Sequence, residues 1–273
     1  MRINNNLMAM NTHRQLTANT INQTKSTEKL SSGMRINRAA DDAAGLTISE
    51  KMRGQIRGLD MASKNAQDGI SLIQSAEGAL QESHSILQRM RELTVQAAND
   101  VNGVEDRTAI KSELDAMSSE LDRIATTTQF NKKNLLNGDL ATGLTLQVGA
   151  NSGTDQTISV KISKMDSTTL TVNALAVTDN TTSQASLDKV DAAIAKVSEQ
   201  RSNLGAVQNR LEHTISNLDT VGENLTAAES RIRDVDMAKE MMNFTKNNIL
   251  TQAATSMLAQ ANQAPQGVLS LLR

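Results

Sequence analysis

Seven apolar residues stand seven apart across the second half of the chain: Val190, Val197, Leu204, Leu211, Leu218, Leu225 and Ile232. An unbroken apolar repeat of seven marks a helix that buries one narrow stripe against other helices. The first half carries a matching row, Met52, Leu59, Ala66, Ile73, Leu80 and Leu87. These rows predict helices over about 43–99 and 186–233. The first would be roughly 85 Å long, the length of a coiled-coil-like rod rather than of a globular element. Asn102-Gly103 is a turn signal. Beyond it, Ile110, Met117 and Ile124 form one row of sevens and Leu114 and Leu121 the other. That pattern predicts a third helix, about 105–127, returning antiparallel along the first.

The pattern changes over about 128–185, where Thr, Gly, Asn and Asp replace the helical period. Leu144, Leu146 and Val148 alternate with polar residues, as do Ile158, Val160 and Ile162. Alternation on both sides of a Gly- and Asn-rich loop predicts a β-hairpin. Leu170-Thr171-Val172 and Leu175-Ala176-Val177 read as further short strands. The segment has too little apolar material to stand as a robust domain of its own.

Both ends of the chain are amphipathic. Ile3, Leu7, Met10, Leu16, Ile21 and Leu30 punctuate a weakly contrasted helix that stops near Ser31-Ser32-Gly33. Asp41 or Asp42 suits the N-cap of the helix that follows. After Ile232 the phase slips: Val235, Met242 and Ile249 continue by sevens, then Leu250, Met257 and Ala264. After Glu240 only Lys246 and Arg273 carry side-chain charge. A helix so short of charge is normally covered by something.

Composition sharpens this picture. The 273 residues include no Trp, Tyr or Cys, two Phe and one Pro. Leu, Ile, Val, Met and Ala must therefore fill the core, which suits thin helical bundles better than a thick globule. Without Cys, disulfides and thiolate metal sites are excluded. A formal charge of −2 gives no basic character to attract nucleic acid. No stretch is apolar for long enough to span a membrane as one helix. The N-terminus lacks the apolar core of a secretory signal, so the expectation is a cytosolic chain or one exported without a cleaved signal.

Little points to catalysis. No phosphate loop, dinucleotide fingerprint or zinc-binding His-Glu pattern occurs. His13, His84 and His213 lie on different predicted helices, without ligand spacing. Asp41-Asp42 and Asp234-x-Asp236 read more readily as helix caps than as metal ligands. The Met-rich stretch around Met237, Met241, Met242 and Met257 reads as packing. No cofactor, metal or catalytic residue is assigned.

If the first and last long helices pair antiparallel, both chain ends emerge together. Residues 1–42 and 234–273 then form one terminal helical domain, and 43–233 the rod domain. Neither terminal helix can bury its stripe alone, and the stripe left over is an association surface. Heterologous contacts on such a surface that do not close give a helical filament.

Three stretches carry a family resemblance. Leu30-Ser-Ser-Gly-Met-Arg-Ile-Asn-Arg-Ala-Ala-Asp-Asp-Ala-Ala-Gly-Leu-Thr-Ile-Ser49 resembles the N-terminal signature of bacterial flagellins. Thr226-Ala-Ala-Glu-Ser-Arg-Ile-Arg-Asp-Val-Asp-Met-Ala-Lys-Glu240 and the ending Met257–Arg273 resemble the C-terminal counterpart. The likeness covers about 1–137 and 186–273 and is nearest to Bacillus-type flagellins, in a minimal form without large outer domains.

The resemblance implies a structural subunit of the flagellar filament, exported through the flagellar secretion apparatus and serving swimming motility. It implies terminal helices in an inner tube, with Ile3, Leu7, Met10, Ile21, Met242, Ile249, Leu250 and Met257 among the residues of polymerisation. It implies an export chaperone, hook-associated and cap proteins as partners, beside further copies of the chain. The resemblance also implies that Arg89, Leu93 and Glu113 serve both subunit contact and recognition by a further partner, a Toll-like receptor of animal hosts. Met34 and Met90 depart mildly from the family pattern, standing where smaller or branched residues are common. A hook–filament junction protein with flagellin-like ends and a helical-rod adhesin are the alternative readings.

Overall fold

The computed structural model describes residues 6–271, and side chains over 6–264. Its helices are α1 (Leu7–Ser32), α2 (Ala43–Ala97), α3 (Val104–Thr127), α4 (Asn180–Arg233) and α5 (Met237–Leu271). Between α3 and α4 lie two antiparallel hairpins, β1 (Gln129–Phe130) with β2 (Lys133–Asn134) and β3 (Leu144–Gln147) with β4 (Thr157–Val160). The chain is thus mainly α with a small β region in its middle. It forms two compact units, residues 1–54 with 224–273 and residues 55–223.

In the unit of 55–223, α2 and α4 run antiparallel. Ser63 donates to Asp219, Arg201 faces Glu77, and Arg91 pairs with Asp191. Asn180 Nδ2 donates to Ala98 O at the far end. The predicted rows lie in the seam: Ala66, Ile73, Leu80 and Leu87 are buried on α2, and Val190, Val197, Leu204, Leu211 and Leu218 on α4. From α3, Ile110, Leu114, Leu121 and Ala125 join the same core. In the unit of the termini, Met52, Leu225 and Ile232 are only half-buried, and so is Leu59 in the other unit.

A second row on α2 escapes a search for large apolar residues. Ala62, Gly69, Ala76, Ser83, Met90 and Ala97 are also seven apart and all are buried. Small residues let neighbours come close. A Cβ on Gly69 would collide with the Leu146 side chain, and one on Gly58 would meet Ala150 Cβ at 2.8 Å. The β3–β4 hairpin therefore sits directly on the α2 backbone, and Asn65 Nδ2 donates to Gln147 O at 3.1 Å. On α4 the buried Gln200 plays a matching part. Its amide donates to Lys161 O and accepts from Ser163 N, so a buried polar side chain is satisfied while it pins the strand exit.

The structure corrects three sequence expectations. α4 begins at Asn180, about a turn and a half before residue 186. Its start is set by Asp179, whose carboxylate accepts from Thr182 N and Thr182 Oγ1, both at 2.7 Å. This side-chain cap lies in a polar stretch where apolar spacing is silent. Residues 170–172 and 175–177 are turns and loop, not strands. Leu170, Val172, Leu175 and Val177 do alternate inward and are buried, but Thr171 has φ 63°, which breaks an extended path. The middle region holds two hairpins rather than the one expected: Asn131 and Lys132 make the β1–β2 turn, both at positive φ and without the glycine that signals such a turn.

In the terminal unit, α1 ends where Gly33 adopts φ 71° and its N–H reaches Lys29 O. The carboxylate of Asp42 accepts from Gly45 N at 2.8 Å and caps α2. The neighbouring Asp41 accepts from Arg38 N and Asn37 N, which holds its carboxyl below the ordinary value. Asp42→Ala is expected to destabilise the chain by about 0.5–2 kcal/mol, whereas Asp42→Asn, an equally good cap, retains most of the stability. Urea denaturation followed by circular dichroism measures both.

Candidate functional site

In the terminal unit Ile36 is buried in the connection between α1 and α2, but along α1 and α5 many large apolar side chains are exposed. α1 and α5 run antiparallel, with Asn6 Nδ2 donating to Ala261 O at 2.7 Å at one end. Among the described residues, Ser26, Ala254 and Ala261 are the buried ones on these two helices. Leu7, Met10 and Ile21 of α1 are 61%, 64% and 53% exposed, and Met242, Ile249 and Met257 of α5 are 67%, 62% and 55% exposed. Leu250 is also exposed, and Ile3 lies outside the described residues. Met241, Met242, Thr245, Lys246, Ile249 and Leu250 line an open apolar groove along α5. A further groove between the helices is lined by Ala9, Met10, His13, Leu258 and Asn262.

Burying one Leu, Ile or Met side chain is worth about 1.5–3 kcal/mol. Association costs an estimated ~4–15 kcal/mol in lost freedom. Covering several of these side chains gains free energy of the same order as that cost, which makes the face a candidate association surface.

The two resembling motifs meet each other at the base of this helix pair. Residues 33–35 and 232–235 pair as antiparallel backbone: Arg35 N donates to Arg233 O at 2.7 Å and Val235 N to Gly33 O at 3.0 Å, around a Met34–Asp234 bridge. The Arg35 guanidinium donates twice to Ile232 O and so caps the end of α4. Arg233 Nη1 donates to the buried Ser49 hydroxyl, which donates to Glu229. Arg233 Nε rests on the Met34 sulfur at 3.3 Å. Asp236 then starts α5, accepting from Lys239 N. The motif residues are thus a buckle between two helix junctions. Asp236 is a helix cap, and Asp234 accepts from the Ser230 hydroxyl.

A second exposed feature lies in the unit of 55–223. Arg89 on α2 donates to Glu92 at 2.9 Å and to Glu113 on α3 at 3.3 Å. All three side chains are roughly half exposed, and these hydrogen bonds raise the already high pKa of the guanidinium. Leu93 is 2% exposed and belongs to the core. Arg89 and Glu113 therefore stand on the surface while Leu93 anchors the helix beneath them. Val95 is 48% exposed on the same stretch.

No cluster of three or more potential metal-binding side chains occurs among the described residues. His84 hydrogen-bonds its helix neighbour Gln88 through Nε2. Among the described residues no helix is long and apolar enough to cross a membrane.

Comparison with known proteins gives a consistent result. Residues 3–141 match the bacterial flagellin N-terminal helical region, and residues 187–272 the bacterial flagellin C-terminal helical region. The chain is 59% identical to a flagellin of Halalkalibacterium halodurans over 275 residues, covering 100% of both chains. It is 57% identical to a flagellin of Bacillus subtilis over 308 residues, again covering 100% of both. Among solved structures, a crystal structure of Bacillus cereus flagellin is similar with TM-score 0.50 and 30% identity, over 61% of this chain and 94% of that one.

Proposed function

The chain belongs to the bacterial flagellin family, whose members are structural subunits of the flagellar filament, and from that premise we propose how this subunit builds the polymer. The outward apolar face of α1 and α5 is the polymerisation surface. The observation that carries this is the exposure of large apolar residues there: Leu7, Met10, Ile21, Met242, Ile249, Leu250 and Met257 are 40–67% exposed, while the described residues fully buried on the two helices are the small Ser26, Ala254 and Ala261. One copy cannot satisfy that face, and other copies of the same face can. Leu7, Met10, Ile21, Met242, Ile249, Leu250 and Met257 are its contact residues.

We place the border between the self-sufficient part and the part completed on assembly at the buckle, near residues 42 and 234. Just inside that border the half-buried Met52, Leu59, Leu225 and Ile232 still gain neighbours in the filament, while the seam from Ile73 to Leu87 and from Val190 to Leu218 is complete in one subunit. Before assembly an export chaperone shields the nearly uncharged α5. Cap and hook-associated proteins meet the same face at the two ends of the filament. Export proceeds through the flagellar secretion apparatus without a cleaved signal, and the subunit works outside the cell. It carries no catalytic role.

Arg89 and Glu113 form the exposed charged patch read by a Toll-like receptor of animal hosts, with Leu93 holding the helix in place. Exposed ion pairs contribute little to stability. Exchanging the charges (Arg89→Glu with Glu113→Arg) is therefore expected to leave the melting transition unchanged and to abolish receptor signalling in a reporter-cell assay. Signalling at the unmodified level would remove this patch from the recognition surface.

Electron microscopy of the purified full-length chain tests the central reading. Long regular filaments are the expected outcome. Monomers or closed oligomers under every polymerising condition would overturn it.

A further inference from the structure

We propose that the outward methionines of the terminal helices are a peroxide-oxidisable modification site through which oxidants block the free subunit from assembling. The inference rests on the polymerisation reading above. Met8, Met10, Met237, Met241, Met242 and Met257 are each between 49% and 68% exposed. In the other unit Met61 is 54% exposed, but Met90 and Met165, in its core, are 0% and 5% exposed. The chain holds 13 methionines, so almost half are concentrated on the two helices that must become covered. Met241 and Met242 line the same groove as Ile249 and Leu250.

The chemistry is oxygen transfer. A thioether sulfur attacks hydrogen peroxide, the O–O bond breaks, an S–O bond forms, and water leaves. Sulfur is oxidised by two electrons and peroxide is reduced by two. The product sulfoxide is polar and chiral, and it no longer behaves as the flexible apolar side chain that an assembly surface needs. A sulfoxide on this face must lose its water when the face is covered, and the Ile249 and Leu250 side chains beside Met241 and Met242 give it apolar neighbours. Thiol-dependent methionine sulfoxide reductases reverse the change. Because the core methionines are shielded, oxidation reaches the assembly face while the fold is still intact. The free subunit is the vulnerable form and the filament the protected one.

The test exposes the full-length chain to hydrogen peroxide, once as free subunit and once as preformed filament. Oxidation at each methionine is followed by peptide mass mapping, helicity by circular dichroism, and polymer by sedimentation. In the free subunit the six terminal methionines are expected to oxidise before Met90 and Met165. In the filament the same six are expected to react several-fold more slowly. Oxidised subunit is expected to keep its helicity yet to need a roughly tenfold higher concentration to polymerise, and treatment with the reductase should restore the original threshold. Equal reaction rates at these six sites in both states would overturn the proposal. So would oxidised subunit that polymerises at the untreated threshold. An untreated chain that forms no polymer overturns the filament reading itself, a result read in the control and distinct from either of these.

Discussion

A chain ending at Glu240 is expected to form no filament at all while keeping the core of residues 55–223 folded. The cut removes the α5 groove around Met242, Ile249 and Leu250 and the Ala254 and Ala261 positions that pack on α1. It also removes the Ala261 carbonyl that receives the Asn6 amide. α1 is then left without its partner. Its sequence is rich in Asn, Thr and Gln, its apolar contrast is weak, and an isolated helix of that kind is marginal in water. The main hydrophobic core, in contrast, draws all its buried members from residues between Ala66 and Leu211. Sedimentation and electron microscopy should show soluble subunit only. Circular dichroism should show loss of no more helix than α1 and α5 contribute, with a cooperative melt remaining. Global unfolding instead would show that the division of the chain is drawn in the wrong place.

The second large effect is expected from Leu211→Ala, which should destabilise the chain by about 2–5 kcal/mol. Leu211 is 0% exposed on α4. It faces the α2 backbone at Gly69, where Leu146 of the hairpin also packs. Three elements therefore meet at this side chain, and none can move inward without carrying a helix or a hairpin with it. A cavity made there stays open, which puts the cost toward the upper part of the range. Leu225→Ala, at a half-buried position in the terminal unit, should cost clearly less in the free subunit. Urea titrations of the two variants beside the parent chain decide the matter. A Leu211→Ala change below about half a kcal/mol would remove that residue from the core.

These two experiments probe features that were legible to different degrees. The row from Val190 to Leu218 was readable because a stripe seven residues apart can face only one way on a long helix. The helix ends at Gly33 and Asp42 were readable because the left-handed cap and the carboxylate cap use residue types chosen for that chemistry. The start of α4 was not, since Asp179 lies among threonines and asparagines that could equally have been loop. Nor was the second α2 row, because Ala62, Gly69, Ala76 and Ser83 announce nothing by hydrophobicity. They matter only for what they allow to approach. The assembly face was half legible: the absence of charge after Glu240 was plain, but which side chains point outward depends on where α1 lies.

The sequence by itself determined the helices, the long seam and the need for both chain ends to be covered, because periodicity and charge are properties of consecutive residues. Only the tertiary structure decided the rest. It brought residues 33–35 against 232–235, so that two distant motifs became one hydrogen-bonded buckle. It placed Leu93 inward and Arg89 outward on one stretch of α2. It left Met8, Met10, Met237, Met241, Met242 and Met257 of α1 and α5 on the surface. Each of these depends on distances between residues far apart in the chain, and those distances are set by packing, which no local pattern records.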